Sequence, residues 1–269
     1  MKLSISNIGW EEKNDIEVYN LMKKYGFSGV EIAPTRWVQE LPYEHIEEAV
    51  AISERLKLQY GFDVPSMQSI WFGKQEKVFA SAEEREALVD YTKKSIDYAA
   101  AIGCKNLVFG CPRNRNIDET WSLSPEEIEK VEISFFGRLG DYAASKGVVL
   151  AMEANPPIYN TNYVNTTEQA IALVNRVASK GFLVNLDFGT MIANEEDVEM
   201  LEEVIPMLHH IHISEPGLKQ IEKRETHKQL AQLLREKGYA GYVSIEVGKQ
   251  DDIKALEEMM KYVAEVFHD

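Results

Sequence analysis

Short apolar runs alternate along the chain with longer stretches in which apolar residues recur every three or four positions, and a glycine stands at many of the junctions. The runs read as strands buried on both faces, the stretches as amphipathic helices, and the glycines as helix stops. Strands are predicted at 3–8, 29–32, 64–69, 106–109, 148–155, 182–187, 211–213 and 242–247. Helices are predicted at 15–25, 42–60, from Ser81 to about 102, from Ser124 to Gly147, from Thr166 to about 180, at 225–237 and at 252–267. Pro42 and Pro125 stand where a first-turn proline is tolerated, and Ser81 with Glu84 and Thr166 with Gln169 have the spacing of capping boxes. Asn194 is read as the cap of one further helix after Asp187.

Strands that alternate with helices imply parallel pairing through right-handed crossovers. Eight such units in this length suit an α/β protein of the (β/α)8 TIM barrel type, a parallel sheet closed into a barrel, better than an open sheet. No glycine-rich phosphate loop follows the first strand, so nucleotide binding has no support. Nothing marks a linker, and residues 1–269 are expected to form a single barrel domain.

In such a barrel the C-terminal strand ends share one mouth, and four strands carry a costly polar residue there. They are Glu153 in VVLAMEAN, Asp187 in FLVNLD, His212 in IHI and Glu246 in YVSIEV, spaced 34, 25 and 34 residues apart. Each alone has a bland reading, a buried carboxylate paired with arginine or a core histidine. Together, three carboxylates meeting without a cation would repel one another, whereas a divalent metal neutralises them. Three oxygen ligands and one imidazole suit Mn²⁺ first, with Mg²⁺, Co²⁺ or Zn²⁺ as alternatives.

Around this set, Trp10, Trp37, Trp71 and Phe72 fall at or after strand ends, where they either wall a ligand pocket or simply pack. Glu31 and Gln68 are candidates to orient a ligand or bind a substrate hydroxyl. Arg113 and Arg115 are candidates to clamp a phosphate or carboxylate, against the ordinary reading of solvated loop arginines. His227 reads as structural. His209 and His210 precede the strand at the end away from the mouth, and both read as non-ligands.

The formal net charge of −15 disfavours nucleic acid and anionic membranes as partners. Two cysteines, Cys104 and Cys111, make neither a disulfide framework nor a cysteine-based zinc site. The N-terminus lacks the apolar core of a secretory signal and no apolar run could span a membrane, so a soluble, cytoplasmic protein is expected. A homo-oligomer is left open.

GFSGVEI with Glu31, MEANP with Glu153, LDFG with Asp187, HIHISEP with His212 and GYAGYVSIE with Glu246 form an ordered set along nearly the whole chain. In that set the chain resembles the xylose isomerase-like TIM barrel superfamily, and within it the sugar phosphate isomerases and epimerases related to the ketose 3-epimerases. The resemblance implies that Glu153, Asp187, His212 and Glu246 bind one divalent metal. It also implies that Glu153 and Glu246 exchange protons with a carbohydrate substrate from opposite faces, through a cis-enediolate. The expected activity is therefore a metal-dependent sugar isomerase or epimerase acting on a small ketose or sugar phosphate. A dehydratase of a polyhydroxy carbonyl compound on the same metal is the alternative, ahead of an apurinic endonuclease-like enzyme or a non-catalytic sugar-binding barrel. One departure stands out: Thr190 occupies a position at which many members carry a histidine, and neither it nor Gln68 could serve the three-zinc cluster of the endonuclease type.

Overall fold

The structure is a computed structural model that describes residues 1–268. Eight strands are present among them: β1 (Lys2–Ser6), β2 (Gly29–Glu31), β3 (Ser66–Met67), β4 (Asn106–Phe109), β5 (Val149–Glu153), β6 (Phe182–Asp187), β7 (Leu208–Ile213) and β8 (Tyr242–Ile245). They hydrogen-bond in the order β2-β1-β8-β7-β6-β5-β4-β3, every pair parallel. Two single bridges, Gly29 to Asp63 and Ile32 to Met67, join β2 to the β3 segment and complete the ring. This is the (β/α)8 barrel that the alternation of elements predicted.

Helices α1 (Asp15–Lys24), α2 (Ile46–Tyr60), α3 (Ala82–Ala101), α4 (Pro112–Arg115), α5 (Pro125–Ser145), α6 (Thr167–Val177), α7 (Phe188–Ala193), α8 (Glu225–Glu236) and α9 (Ile253–Phe267) fall between or after the strands. They cover the outer faces of strands whose inner faces fill the barrel, so β4 is buried at every position and β5 and β6 at all but one. Among the described residues no helix is long and apolar enough to cross a membrane.

Local chemistry sets the helix ends. Ser124 with Glu127 and Thr166 with Gln169 form complete capping boxes. At Ser81 only half forms: its hydroxyl accepts from Glu84 N, but the Glu84 carboxylate takes the Lys77 N–H at 2.6 Å. Pro42 opens a single 3-10 turn, and α2 starts only at Ile46. Helix α6 stops at Val177 because Ala178 turns left-handed at φ 52°. Asn194 ends α7 instead of starting it, because the helix begins directly after Asp187, whose own carboxylate caps it through Thr190 N. Strand β7 starts three residues earlier than its apolar triplet suggests and takes in His209 and His210. Where α5 meets the turn into β6 the backbones nearly touch. A Cβ on Gly181 would lie 2.0 Å from Gly140 O and 2.6 Å from Ala144 N, so only glycine fits.

Candidate metal centre

A cavity of about 570 Å³ opens at the C-terminal ends of the strands, and Glu153, Asp187 and Glu246 all line it. Glu153 ends β5, Asp187 ends β6 and Glu246 follows β8, so parallel topology alone brings three carboxylates from distant segments to one mouth. His212 lies just beneath, fully buried in β7. Its Nδ1 stands 3.0 Å from Glu153 Oε1 and 3.3 Å from Glu246 Oε2. One ligand atom from each of Glu153, His212 and Glu246 falls within 4.8 Å of the others, the spacing of a candidate metal group. Asp187 shares the cavity but is not one of that trio. Its Oδ2 accepts from Thr190 N at 2.9 Å and from the Thr190 hydroxyl at 2.7 Å, and its Oδ1 accepts from the Ser214 hydroxyl. Thr190 is thereby accounted for: it is buried and holds Asp187.

Of the two roles read for Glu31, the geometry agrees with orienting a ligand and corrects the contact with substrate. Glu31 is fully buried and outside the cavity lining, with Oε2 2.9 Å from His212 Nε2 and Oε1 accepting from Gln68 Nε2 at 3.1 Å. A proton on His212 Nε2 aimed at Glu31 leaves Nδ1 as the ligand atom facing Glu153 and Glu246. His210, read from sequence as remote, lies against the same carboxylate, its Nε2 3.0 Å from Glu31 Oε2 but off-axis and without a hydrogen bond. Glu31, His210 and His212 form a second group with metal-ligand spacing, entirely buried. His209 does lie at the opposite end, bonded to Asn106 at 2.8 Å, and His227 is a buried partner of Tyr262.

Gln68 lines the cavity and its amide nitrogen faces Ser6, Glu31 and Glu246 at 2.8, 3.1 and 2.9 Å. Trp71 also lines it, although its indole N–H is spent on Thr92 at 2.8 Å and its ring packs edge-on against Phe109. Trp10 does not: it is buried, its N–H binds Asp15 at 2.7 Å, and it lies at the edge of a separate cavity. Arg113 is exposed on the rim. Arg115, read beside it as a clamp for an anion, is instead fully buried and cannot reach one. It donates to the backbone oxygens of Glu153, Tyr163 and Val164 and to Asn155 Oδ1 at 2.7 Å.

That arginine is one end of a brace around Glu153. Asn155 Nδ2, oriented by Arg115, donates to Glu153 Oε2 at 2.9 Å, and Asn185 Nδ2 donates to Oε1 at 2.8 Å. A Cβ on Gly110 would lie 2.8 Å from Glu153 Oε2 and 3.3 Å from Asn155 Oδ1, so the carboxylate occupies the space a side chain would take. Asn155, Asn185 and Ser214 were missed in the sequence, and His210 was set aside there as a non-ligand. Each stands two residues from a chosen ligand on the same strand or its extension, and residues two apart share a face.

The electrostatics follow from burial of like charges. Burial, offset in part by His212 and reinforced by Glu153 and Asp187, pushes Glu246 up to about 7. Burial and Glu153 raise Asp187 as well. Burial disfavours the charged His212, yet Glu31, Glu246 and Glu153 outweigh it and hold the imidazole well above its ordinary value. Burial would likewise raise Glu31, but His212 and His210 hold it well below the usual range. One imidazolium among four carboxylates leaves an excess of negative charge at the cavity floor. The donor set thus fits a divalent cation, through Glu153, His212 and Glu246 with Asp187 beside them.

A family model described as xylose isomerase-like TIM barrel matches residues 19–266. No curated protein sequence matches the chain significantly. Solved structures do, at the level of fold. D-psicose 3-epimerase from Clostridium cellulolyticum H10, with D-tagatose, superposes with a TM-score of 0.81 at 16% identity, over 100% of both chains. The 3-keto-D-glucoside 4-epimerase of E. coli gives 0.77 at 21% identity, over 98% of both. The probable 3-DHS dehydratase of Bacillus anthracis gives 0.71 at 15%, over 100% of this chain and 99% of that one. An AP endonuclease, family 2, from Brucella melitensis shares the same fold. With nearly its whole length matched and its eight strands closed around a carboxylate and histidine cluster, the chain belongs to the xylose isomerase-like TIM barrel family.

Proposed function

We propose that this protein is a divalent-metal-dependent isomerase or epimerase of a small polyhydroxy carbonyl compound, a ketose or its phosphate. The observation that carries the reading is the meeting of Glu153, His212 and Glu246, with Asp187 at the same cavity floor, among the strand ends of the barrel. Two of the solved structures that share the fold are described as sugar epimerases, and this supports a carbohydrate substrate. The metal, with Mn²⁺ the first to test, would be held by Glu153, His212 Nδ1, Glu246 and Asp187, and when bound supplies a Lewis acid that polarises a carbonyl.

The protein's own part is proton transfer and orientation. Glu246, just past β8 on the cavity wall, takes the proton from the carbon beside the substrate carbonyl. Glu153, locked at both oxygens by Asn155 and Asn185, delivers a proton from the other side. Return to the same carbon inverts it and is epimerisation; return to the neighbouring carbon is isomerisation. Gln68, bonded to Glu246 Oε1, fixes which oxygen of that base faces the substrate.

Incubating the metal-loaded protein with a panel of ketoses and ketose phosphates in D₂O tests the reading. Deuterium at a carbon next to the carbonyl is the expected result, and a product lighter by one water would make the enzyme a dehydratase. No exchange from any member of the panel would leave a binding barrel. The centre itself is tested without turnover. Mn²⁺ at about a hundred times its Kd should raise stability by about 2.7 kcal/mol, or Tm by roughly 5 °C. His212→Ala and Asp187→Ala should abolish that rise, and a wild-type protein indifferent to Mn²⁺, Co²⁺ and Mg²⁺ would remove the metal.

A further inference from the structure

The second cavity beside the mouth, about 350 Å³, is bordered by Trp10, Thr35, Arg36 and Lys249, and it shares Ser69 and Phe72 with the first. Phe72 is 71% exposed, among the most exposed large apolar residues in the chain. It stands where the two cavities meet, in a turn closed by Phe72 N on Ser69 O, with Ser69 held left-handed at φ 54°. A strained serine that presents a bare aromatic ring between two hollows needs a reason, since such strain collects at ligand clamps.

Size supplies a second argument. A hexose has the mass of about ten waters, and at roughly 30 Å³ per water in the liquid it would fill about 300 Å³ at most. The first cavity alone, at about 570 Å³, is well beyond that before the second is added. The three strand-end carboxylates lie only in the first cavity, whereas the second is lined by Glu11, Glu12, Thr35, Arg36 and Lys249, with Lys249 paired to Glu11 and Arg36 to Asp15. Trp10 is buried behind this lining, with its indole N–H on Asp15, so the ring that a ligand meets here is that of Phe72. The ring of Phe72 beside carboxylate and hydroxyl acceptors and cationic donors matches a sugar ring, which pairs an apolar C–H face with a rim of hydroxyls that both donate and accept.

We infer that Phe72 and the cavity beside it form a second sugar subsite, so that a ketose joined to a further sugar ring is bound in preference to the free ketose. The reacting ketose occupies the cavity of the strand-end carboxylates, and the second sugar lies against the ring of Phe72 with its hydroxyls toward Glu12, Thr35, Arg36 and Lys249. This inference rests on the reading of the first cavity as a carbohydrate site.

The test measures binding and turnover separately. Calorimetry on Mn²⁺-loaded protein compares D-fructose with two ketose-ended disaccharides, lactulose and palatinose, in which the second ring is attached at different hydroxyls. At least one disaccharide is expected to bind about tenfold or more tighter than fructose. Phe72→Ala, a surface change that folding tolerates, is expected to reduce that disaccharide's affinity roughly 2- to 10-fold and to reduce it more than that of fructose. Equal affinities for all three, including no measurable binding of any, or an equal loss for all three in Phe72→Ala, would overturn the subsite. Deuterium wash-in on the same samples reports the chemistry. A disaccharide preference without wash-in keeps the subsite and removes the epimerase, and wash-in from fructose without a preference does the reverse.

Discussion

Glu246→Gln, at saturating metal, is expected to lose about 10²- to 10⁴-fold in kcat while still binding a divalent ion, more weakly than the wild type. Glutamine keeps the shape and one oxygen ligand but removes the basic oxygen. The effect is large because the carboxamide has no basic oxygen to take the substrate proton, and no other group on that face replaces it. Added metal should restore occupancy and leave the rate low, so the defect stays in kcat. Wash-in offers a finer readout, because Glu153 can still remove the proton on its own face. The variant is then expected to exchange deuterium into one epimer while failing to form the other. Full epimerisation by metal-loaded Glu246→Gln would refute the two-glutamate mechanism and leave the barrel and its metal standing.

Gly181→Ala is expected to be the most damaging change to the fold, at about 3 kcal/mol or more of lost stability. Its methyl would meet Gly140 O and Ala144 N of α5, both backbone atoms, which cannot rotate out of the way as a side chain could. Helix α5 would have to lift off the start of β6, the strand that places Asn185 and Asp187. Gly137→Ala is the matched control: it lies in the same helix with nothing within 4 Å of its added Cβ. There the gain in helix propensity should stabilise by about 0.5–1 kcal/mol. Urea midpoints for the two variants should move in opposite directions, and a Gly181→Ala midpoint equal to that of the wild type would show that the contact with α5 can relax.

The strands that the sequence made plain, β4 and β6, are those whose apolar runs are flanked by polar or glycine residues, so pattern and boundary coincide. The carboxylates at the mouth were legible for the same reason, because a charge at the end of a greasy run is conspicuous. What sets their geometry was not. His210 was misplaced because a strand of Leu-His-His-Ile-His-Ile was read from its apolar end only, although alternation puts His210 and His212 on one face. Arg115 was misread because a loop arginine is usually solvated. Its burial depends on the segment around Tyr163 and Val164 folding over it, a contact 48 and 49 residues away that no local window contains. Trp10 followed the rule for strand ends and still missed the carboxylate cavity, since Asp15 draws its N–H aside.

The seam between β2 and β3 carries a kinetic consequence. Strand β3 pairs with β4 through two residues and with the β2 side through isolated bridges, whereas β5, β6 and β7 sit in longer ladders. Four backbone hydrogen bonds tie the seam, but with β3 only two residues long the barrel should breathe here more readily than in the ladders of β5 to β7. The amide of Gln68, which binds Ile32 O across the seam at 2.8 Å, belongs to the residue whose side chain holds Glu246. Each opening therefore releases the proposed base for a moment, and any ligand that draws Gln68 inward fastens the seam. Amide hydrogen exchange at residues 66–68 becomes a gauge of occupancy that needs no turnover: it should slow when the cavity is filled, while exchange in β6 stays as it was.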